Sequence, residues 1–164
     1  MKSEKDTKKH NIEYKGIIEK DINEIISEME SFLEEEEFGL FNEKYVKKGS
    51  DSFDLEVKLK GKRKVDNYFK YEIKIEIEGE NIHFKTMDIN GERKRVRRGI
   101  LRINFSGKTI IDWQNKMSGF WEKLQGFYEN MIYGDIKQAR DYLDDLLDDY
   151  EDHIKQQLGI KTRT

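Results

Sequence analysis

Residues 69–77 read Phe69-Lys70-Tyr71-Glu72-Ile73-Lys74-Ile75-Glu76-Ile77, a strict alternation of apolar or aromatic with charged side chains. Side chains along an extended chain point to opposite faces with a period of two, so five apolar groups share one face and four charges the other. A helix would scatter both sets. The stretch therefore predicts a strand in an antiparallel sheet that is packed on one face and wet on the other. Phe53, Leu55, Val57 and Leu59, alternating with Asp54, Glu56 and Lys58, repeat the pattern.

Working outward, the same criterion predicts strands over 11–19 (Ile12, Tyr14, Gly16, Ile18), 40–48, 53–60, 68–78, 82–88 and 96–106. Gly49, Gly61, Gly79 and the Asn90-Gly91 pair punctuate this run, and links that short make hairpins, so a meander is the expected topology. Between the first two strands, Asp21 and Glu24 form a capping-box signal. Ile22, Ile25, Ile26, Met29, Phe32 and Leu33 follow at helical spacing as far as Gly39. The acidic run Glu34–Glu37 on the other face reads as solvated.

After Gly107 the period changes. A helix capped near Thr109 is predicted, carrying Trp113, Met117, Phe120, Trp121, Leu124, Phe127, Tyr128 and Met131. Gly134 interrupts it, Asp135 recaps, and a last helix with Ile136, Ala139, Leu143, Leu146, Leu147, Tyr150, Ile154 and Leu158 closes at Gly159. The expected fold is α+β: an antiparallel meander of about six strands on an N-terminal helix and two long C-terminal helices. It is expected as one domain over 1–164, with residues 1–9 a disordered tail, 10–107 the strand-helix-sheet part and 109–159 the helical part.

Composition narrows the function. The chain of 164 residues has no cysteine, which removes disulfides, thiolate nucleophiles and cysteine-ligated metals and fits a reducing, cytoplasmic setting. No apolar run approaches the ~18 residues of a membrane span. Absence of proline with abundant Lys, Glu and Ile suits an AT-rich genome or a thermophile. The net charge of −3 hides a polarity: residues 1–57 sum to −7, residues 58–108 to +8 and residues 109–164 to −4. A basic middle thus lies between acidic ends.

The order of strand, helix, several strands and terminal helices resembles the helix-grip layout of START and Bet v 1-like domains. In that layout a curved sheet wraps a long C-terminal helix. The split at Gly134-Asp135 and the single helix between the first two strands depart from it. The resemblance implies a carrier with an apolar pocket between sheet and helix, lined here by Phe69, Tyr71, Phe84, Phe105, Trp113, Phe120 and Trp121. Those aromatics also fit a filled core. The aromatic helix around Trp121, with Phe127 to Tyr133, is similar to uncharacterised small archaeal α+β proteins, a resemblance that implies no activity.

The basic middle offers the sharper reading. In a meander, two strands separate the loop at 61–67 from the loop at 90–99, so both emerge at one end of the sheet. Lys60, Lys62, Arg63 and Lys64 are then expected to converge with Arg93, Lys94, Arg95, Arg97 and Arg98 on one rim. RNA, a ribonucleoprotein surface or a phosphorylated ligand would answer that charge. The alternative is neutralisation within the protein by Glu92, Asp66 and the acidic helices.

Other signals are weaker. Asp141, Asp144, Asp145, Asp148, Asp149 and Asp152 line a helix flank without the spacing of a calcium loop. His10, His83 and His153 stand apart and read as surface residues. Ser106-Gly107-Lys108-Thr109 looks like the end of a phosphate-binding loop but lacks its upstream glycine. The sequence thus predicts a non-enzymatic binding module without metal or cofactor. A protein-interaction domain using the helix from Asp135 to Leu158 stands beside the carrier as an alternative.

Overall fold

The computed structural model describes residues 3–65, 69–111 and 133–159. Their elements are β1 (Ser3–Asp6), β2 (His10–Ile18), α1 (Ile22–Glu35), β3 (Gly39–Lys48), β4 (Ser52–Lys64), β5 (Phe69–Ile89), β6 (Glu92–Ile111) and α2 (Tyr133–Gln157). Every strand pair is antiparallel. The sheet runs β1-β6-β5-β4-β3, and β2 also pairs β6. Residues 3–6 lie against 108–111 and residues 10–18 against 97–105 of the same β6 edge. Between them the Thr7 amide donates to the Gly107 carbonyl and the Gly107 amide donates to Thr7 Oγ1, each at 2.9 Å.

The α+β class and a sheet of six strands agree with the sequence reading, though the six are reached differently. Residues 3–6, expected as tail, are a strand. The segments expected as 68–78 and 82–88 are one 21-residue strand, β5, with an irregular register between Glu80 and His83. Gly79 therefore makes no hairpin. It leaves room instead: a Cβ on Gly79 would stand 3.3 Å from Ile82, and one on Gly99 only 2.5 Å from the same side chain. The two glycines let Ile82 fold inward at the irregularity and become fully buried. Gly61 likewise sits inside β4, beside Phe38 and Leu40. Two links behave as expected, the Gly49 turn and the Asn90-Gly91 hairpin, whose positive φ values of 49° and 83° match a strand-twisting two-residue turn.

Thr109, expected as a helix cap, is a buried strand residue opposite Tyr71. Residues 113–131, with Trp113, Phe120 and Trp121, lie outside the described residues. The one C-terminal helix described is α2, which contains Gly134.

Helix α1 starts as its capping signal predicts, with Asp21 accepting from the Asn23 amide at 2.8 Å. It ends at Glu35, four residues before Gly39. Glu37 takes the left-handed conformation, at φ 67°, and the Phe38 amide donates to the Leu33 carbonyl. The apolar sides of α1 and α2 cover one face of the sheet. Ile25, Met29 and Leu33 join Val57, Leu59, Ile75, Ile103, Leu147, Tyr150 and Ile154 in one core. Tyr150 ties the layers by donating to the Met29 carbonyl at 3.2 Å and by packing on Phe32 and Phe105. No described element covers the other face, which is charged. Among the described residues no helix is long and apolar enough to cross a membrane.

Candidate anion-binding site

Fusion of two expected strands into β5 overturns the predicted rim. The β4–β5 connection and the β5–β6 turn now lie at opposite ends of one strand, roughly 70 Å apart along it at ~3.3 Å per residue. Lys60, Lys62, Arg63 and Lys64 therefore do not meet Arg93, Lys94, Arg95, Arg97 and Arg98. The basic middle of the sequence becomes two clusters.

The first cluster rides on an arm. Strand β4 stops pairing with β5 at His83, and β2 stops pairing with β6 at Arg97. Beyond those points residues 85–96 pair only with each other, as a two-stranded ribbon whose base is the Phe84–Arg97 pair. Alternation puts Arg95 and Arg97 beside Phe84, with guanidinium carbons 4.3 and 5.0 Å from the ring centroid. Phe84 remains 49% exposed. Arg97 is largely committed to the fold. Its Nη2 lies 3.3 Å from Asp21 Oδ2, and its Nη1 donates to the Lys20 carbonyl, so it clamps the arm's base to the start of α1. Among the described residues Arg93 and Lys94 form only exposed pairs, with Asp88 at 3.7 Å and Glu92 at 3.8 Å, and such pairs hold each other weakly. Among the described residues Arg98 forms no ion pair.

The second cluster lies on the charged face of the sheet. Lys60, Lys62 and Lys64 alternate outward from β4, while Arg63 turns to the helix side. Arg63 is spent there: its Nη1 donates to the Tyr142 hydroxyl at 2.9 Å and its Nη2 lies 3.7 Å from Glu37. Tyr142 donates to Glu36 at 2.8 Å. Burial, then the Glu36 hydrogen bond, raises the Tyr142 hydroxyl above its ordinary pKa, with Arg63 opposing. Register adds what alternation alone cannot show. Lys60 stands directly opposite Lys74, and Lys64 opposite Lys70. Like charges placed so are unfavourable by some tenths of a kcal/mol each, roughly. Lys74, with Lys9 and Lys108 nearby, escaped the sequence reading because Lys74 alternates with glutamates along its own strand. Only the strand pairing would have exposed it.

An acidic belt separates the two clusters. Glu56 opposes Glu78, with Asp54, Glu76, Glu80 and Glu13 around them. Arg102 answers part of this charge, donating to Glu80 Oε2 at 2.8 Å and lying 3.5 Å from Glu13.

The described aromatics do not surround a common space. Phe69 packs with Ile111 and Ala139, Tyr71 donates to the Ala139 carbonyl and stacks on Tyr142, Phe105 stacks on His10, and Phe84 is on the arm. His10 corrects its surface reading. It is buried with its ring parallel to Phe105 at 4.7 Å and its Nδ1 3.4 Å from Glu151 Oε1. The aspartate flank of α2 is partly used by Lys8, 3.1 Å from Asp148. Burial, reinforced by Asp141, Asp148 and Asp145 against the pull of Arg140, raises the Asp144 pKa. Among the described residues no three His, Asp or Glu side chains gather as a metal site. Ser106–Thr109 is extended strand, without the curled backbone that cradles phosphate. Set against protein families, curated proteins and solved structures, the chain matches none, so its function is read from its own geometry.

Proposed function

We propose that the chain is a non-enzymatic binding module whose β5–β6 arm contacts single-stranded RNA, free or in a ribonucleoprotein. The observation that carries this reading is the arm itself: a self-paired ribbon with a half-exposed Phe84 among arginines. Arg93, Lys94 and Arg98 supply phosphate contacts, and Phe84 with Arg95 supplies a stacking platform that any base can use. Arg97 keeps the ribbon in place. The lysine cluster lies outside this contact, across the acidic belt.

The test is fluorescence anisotropy of a short labelled RNA over a salt series. The variant replaces Arg93, Lys94, Arg95 and Arg98 by Gln and keeps Arg97, whose loss would also loosen α1. The expected wild-type affinity falls steeply with salt. The variant binds weakly, with a log–log salt slope shallower by about 2, from ~0.7 per phosphate contact over the contacts of Arg93, Lys94 and Arg98. Equal binding by both proteins removes the arm from the contact, and equal affinity for duplex DNA removes the preference for single strands.

A further inference from the structure

The charged face carries a groove floored by β4, β5 and β6 near Gly61, Ile73 and Gly107, with a volume of about 430 Å³. Five lysines line it, Lys9, Lys60, Lys62, Lys74 and Lys108, against two acids, Asp6 and Glu72. The acids offset only one row of this charge, Asp6 standing opposite Lys108 and Glu72 between Lys62 and Lys108, and neither stands opposite Lys60 or Lys74. Glu72 pairs with Lys70 at 3.4 Å, while Lys9, Lys60 and Lys62 form no ion pair among the described residues. Lys74 lies 3.8 Å from Glu76, and Lys108 reaches Glu4 at 3.4 Å. The ladder Lys60–Lys74–Ser106 runs straight across three strands, bringing two ammonium groups and a hydroxyl to one side of the groove. Lys62 and Lys108 flank Glu72 in the next row.

We infer that this groove is a second binding site, for the di- or triphosphate group of a small phosphorylated ligand. A lysine is a point charge with three rotatable donors, so several around a concavity suit a compact, multiply charged oxyanion better than the planar face of a base. The volume is in the range of small-ligand sites. The inference does not rest on the arm. About eight strand residues, or ~27 Å, separate the Lys74–Ser106 row from Arg98 at the base of the arm, and the acidic belt lies between. A short polymer held by the arm would have to cross that belt to reach the groove.

The site is tested with inorganic pyrophosphate, by calorimetry and thermal unfolding, with sulfate at matched ionic strength as control. Pyrophosphate is expected to bind and raise the wild-type melting temperature beyond sulfate. The Lys60→Gln/Lys74→Gln pair is expected to melt no lower than wild type without ligand, since a repulsion has been removed, and to bind pyrophosphate at least about tenfold more weakly. A separate Lys62→Gln variant, with amide shifts at Ser106 and Gly107, checks the location. Equal effects of pyrophosphate and sulfate, or unchanged pyrophosphate affinity in the double variant, overturn the site. Loss of RNA binding in the groove variant would assign its lysines to the polymer and overturn the small-ligand assignment. Loss of RNA binding in the arm variant alone, with pyrophosphate still bound, would leave the two sites separate.

Discussion

Strands β5 and β6 behave as two different structures along their length. From residue 69 to 82 and from 99 to 111 they lie inside the sheet, with neighbours on both sides and a helix-covered face. From 85 to 96 they have only each other. Inside the sheet alternation sorts residues cleanly, so that Ile73, Ile75 and Ile77 are buried while Lys74 and Glu78 are exposed. On the arm the sorting weakens and Phe84, on the same side as the core, stays half exposed. A two-stranded ribbon alone is marginal in water, so the arm depends on its base. Burial thus fixes the body, and a few polar contacts fix the arm.

Substitutions that treat the two regions alike should break this contrast. The largest effect is expected in the body: Ile75→Ala, at a fully buried position, costs about 2–5 kcal/mol in urea unfolding, whereas Lys74→Ala next to it stays within about 0.5 kcal/mol. At the junction, Gly99→Ala forces a Cβ to within 2.5 Å of Ile82 Cδ1 and also crowds the Asn81 carbonyl, so a loss of about 1–3 kcal/mol is expected in the same assay.

The core also sets an alkaline limit. Burial raises the Tyr150 hydroxyl far above its ordinary pKa, with Glu30 adding to the effect. The folded chain therefore keeps a proton that the unfolded chain releases near pH 10, and stability is expected to fall as pH rises beyond that point. Tyr150→Phe should flatten the decline, at a loss of about 0.5–1.5 kcal/mol near neutrality from the hydrogen bond to Met29. Smallest is the split within the arm. Arg97→Ala should lower stability by about 1 kcal/mol through its cap and ring contacts, while Arg93→Ala leaves the melt unchanged and weakens RNA binding.

The body was legible in the sequence because burial imposes a period: the face read from Phe69 to Ile77 is the face that α1 and α2 cover. Glycine was the ambiguous letter. Gly79 and Gly61 were read as turns, but a missing side chain also makes room for a neighbour, and only the position of Ile82 or Phe38 distinguishes the two uses. That single ambiguity turned one strand into two and placed both basic clusters at one end. Ser3–Asp6 was misread because backbone hydrogen bonds to β6 hold a strand that has no apolar pattern. Arg63 and Arg97 were read as binding residues because sequence gives a charge but not its partner. Thr109 looked like a helix cap for the same reason: nothing local says that Tyr71 faces it.

The pairing of residues 3–18 with β6 also has a consequence in time. His10 meets Phe105, a partner about 95 residues further along the chain. At a synthesis rate of 5–20 residues per second, roughly 5 to 20 s pass before that partner exists. During this interval β2 is an unpaired strand, and Glu13 and Lys15 along it, with Lys8 and Lys9 just before it, are the kind of charges that keep such an edge from pairing elsewhere. Completion of the sheet must await the last strand, so the slow step of folding is expected to be closure of this long loop rather than growth of the β5–β6 hairpin.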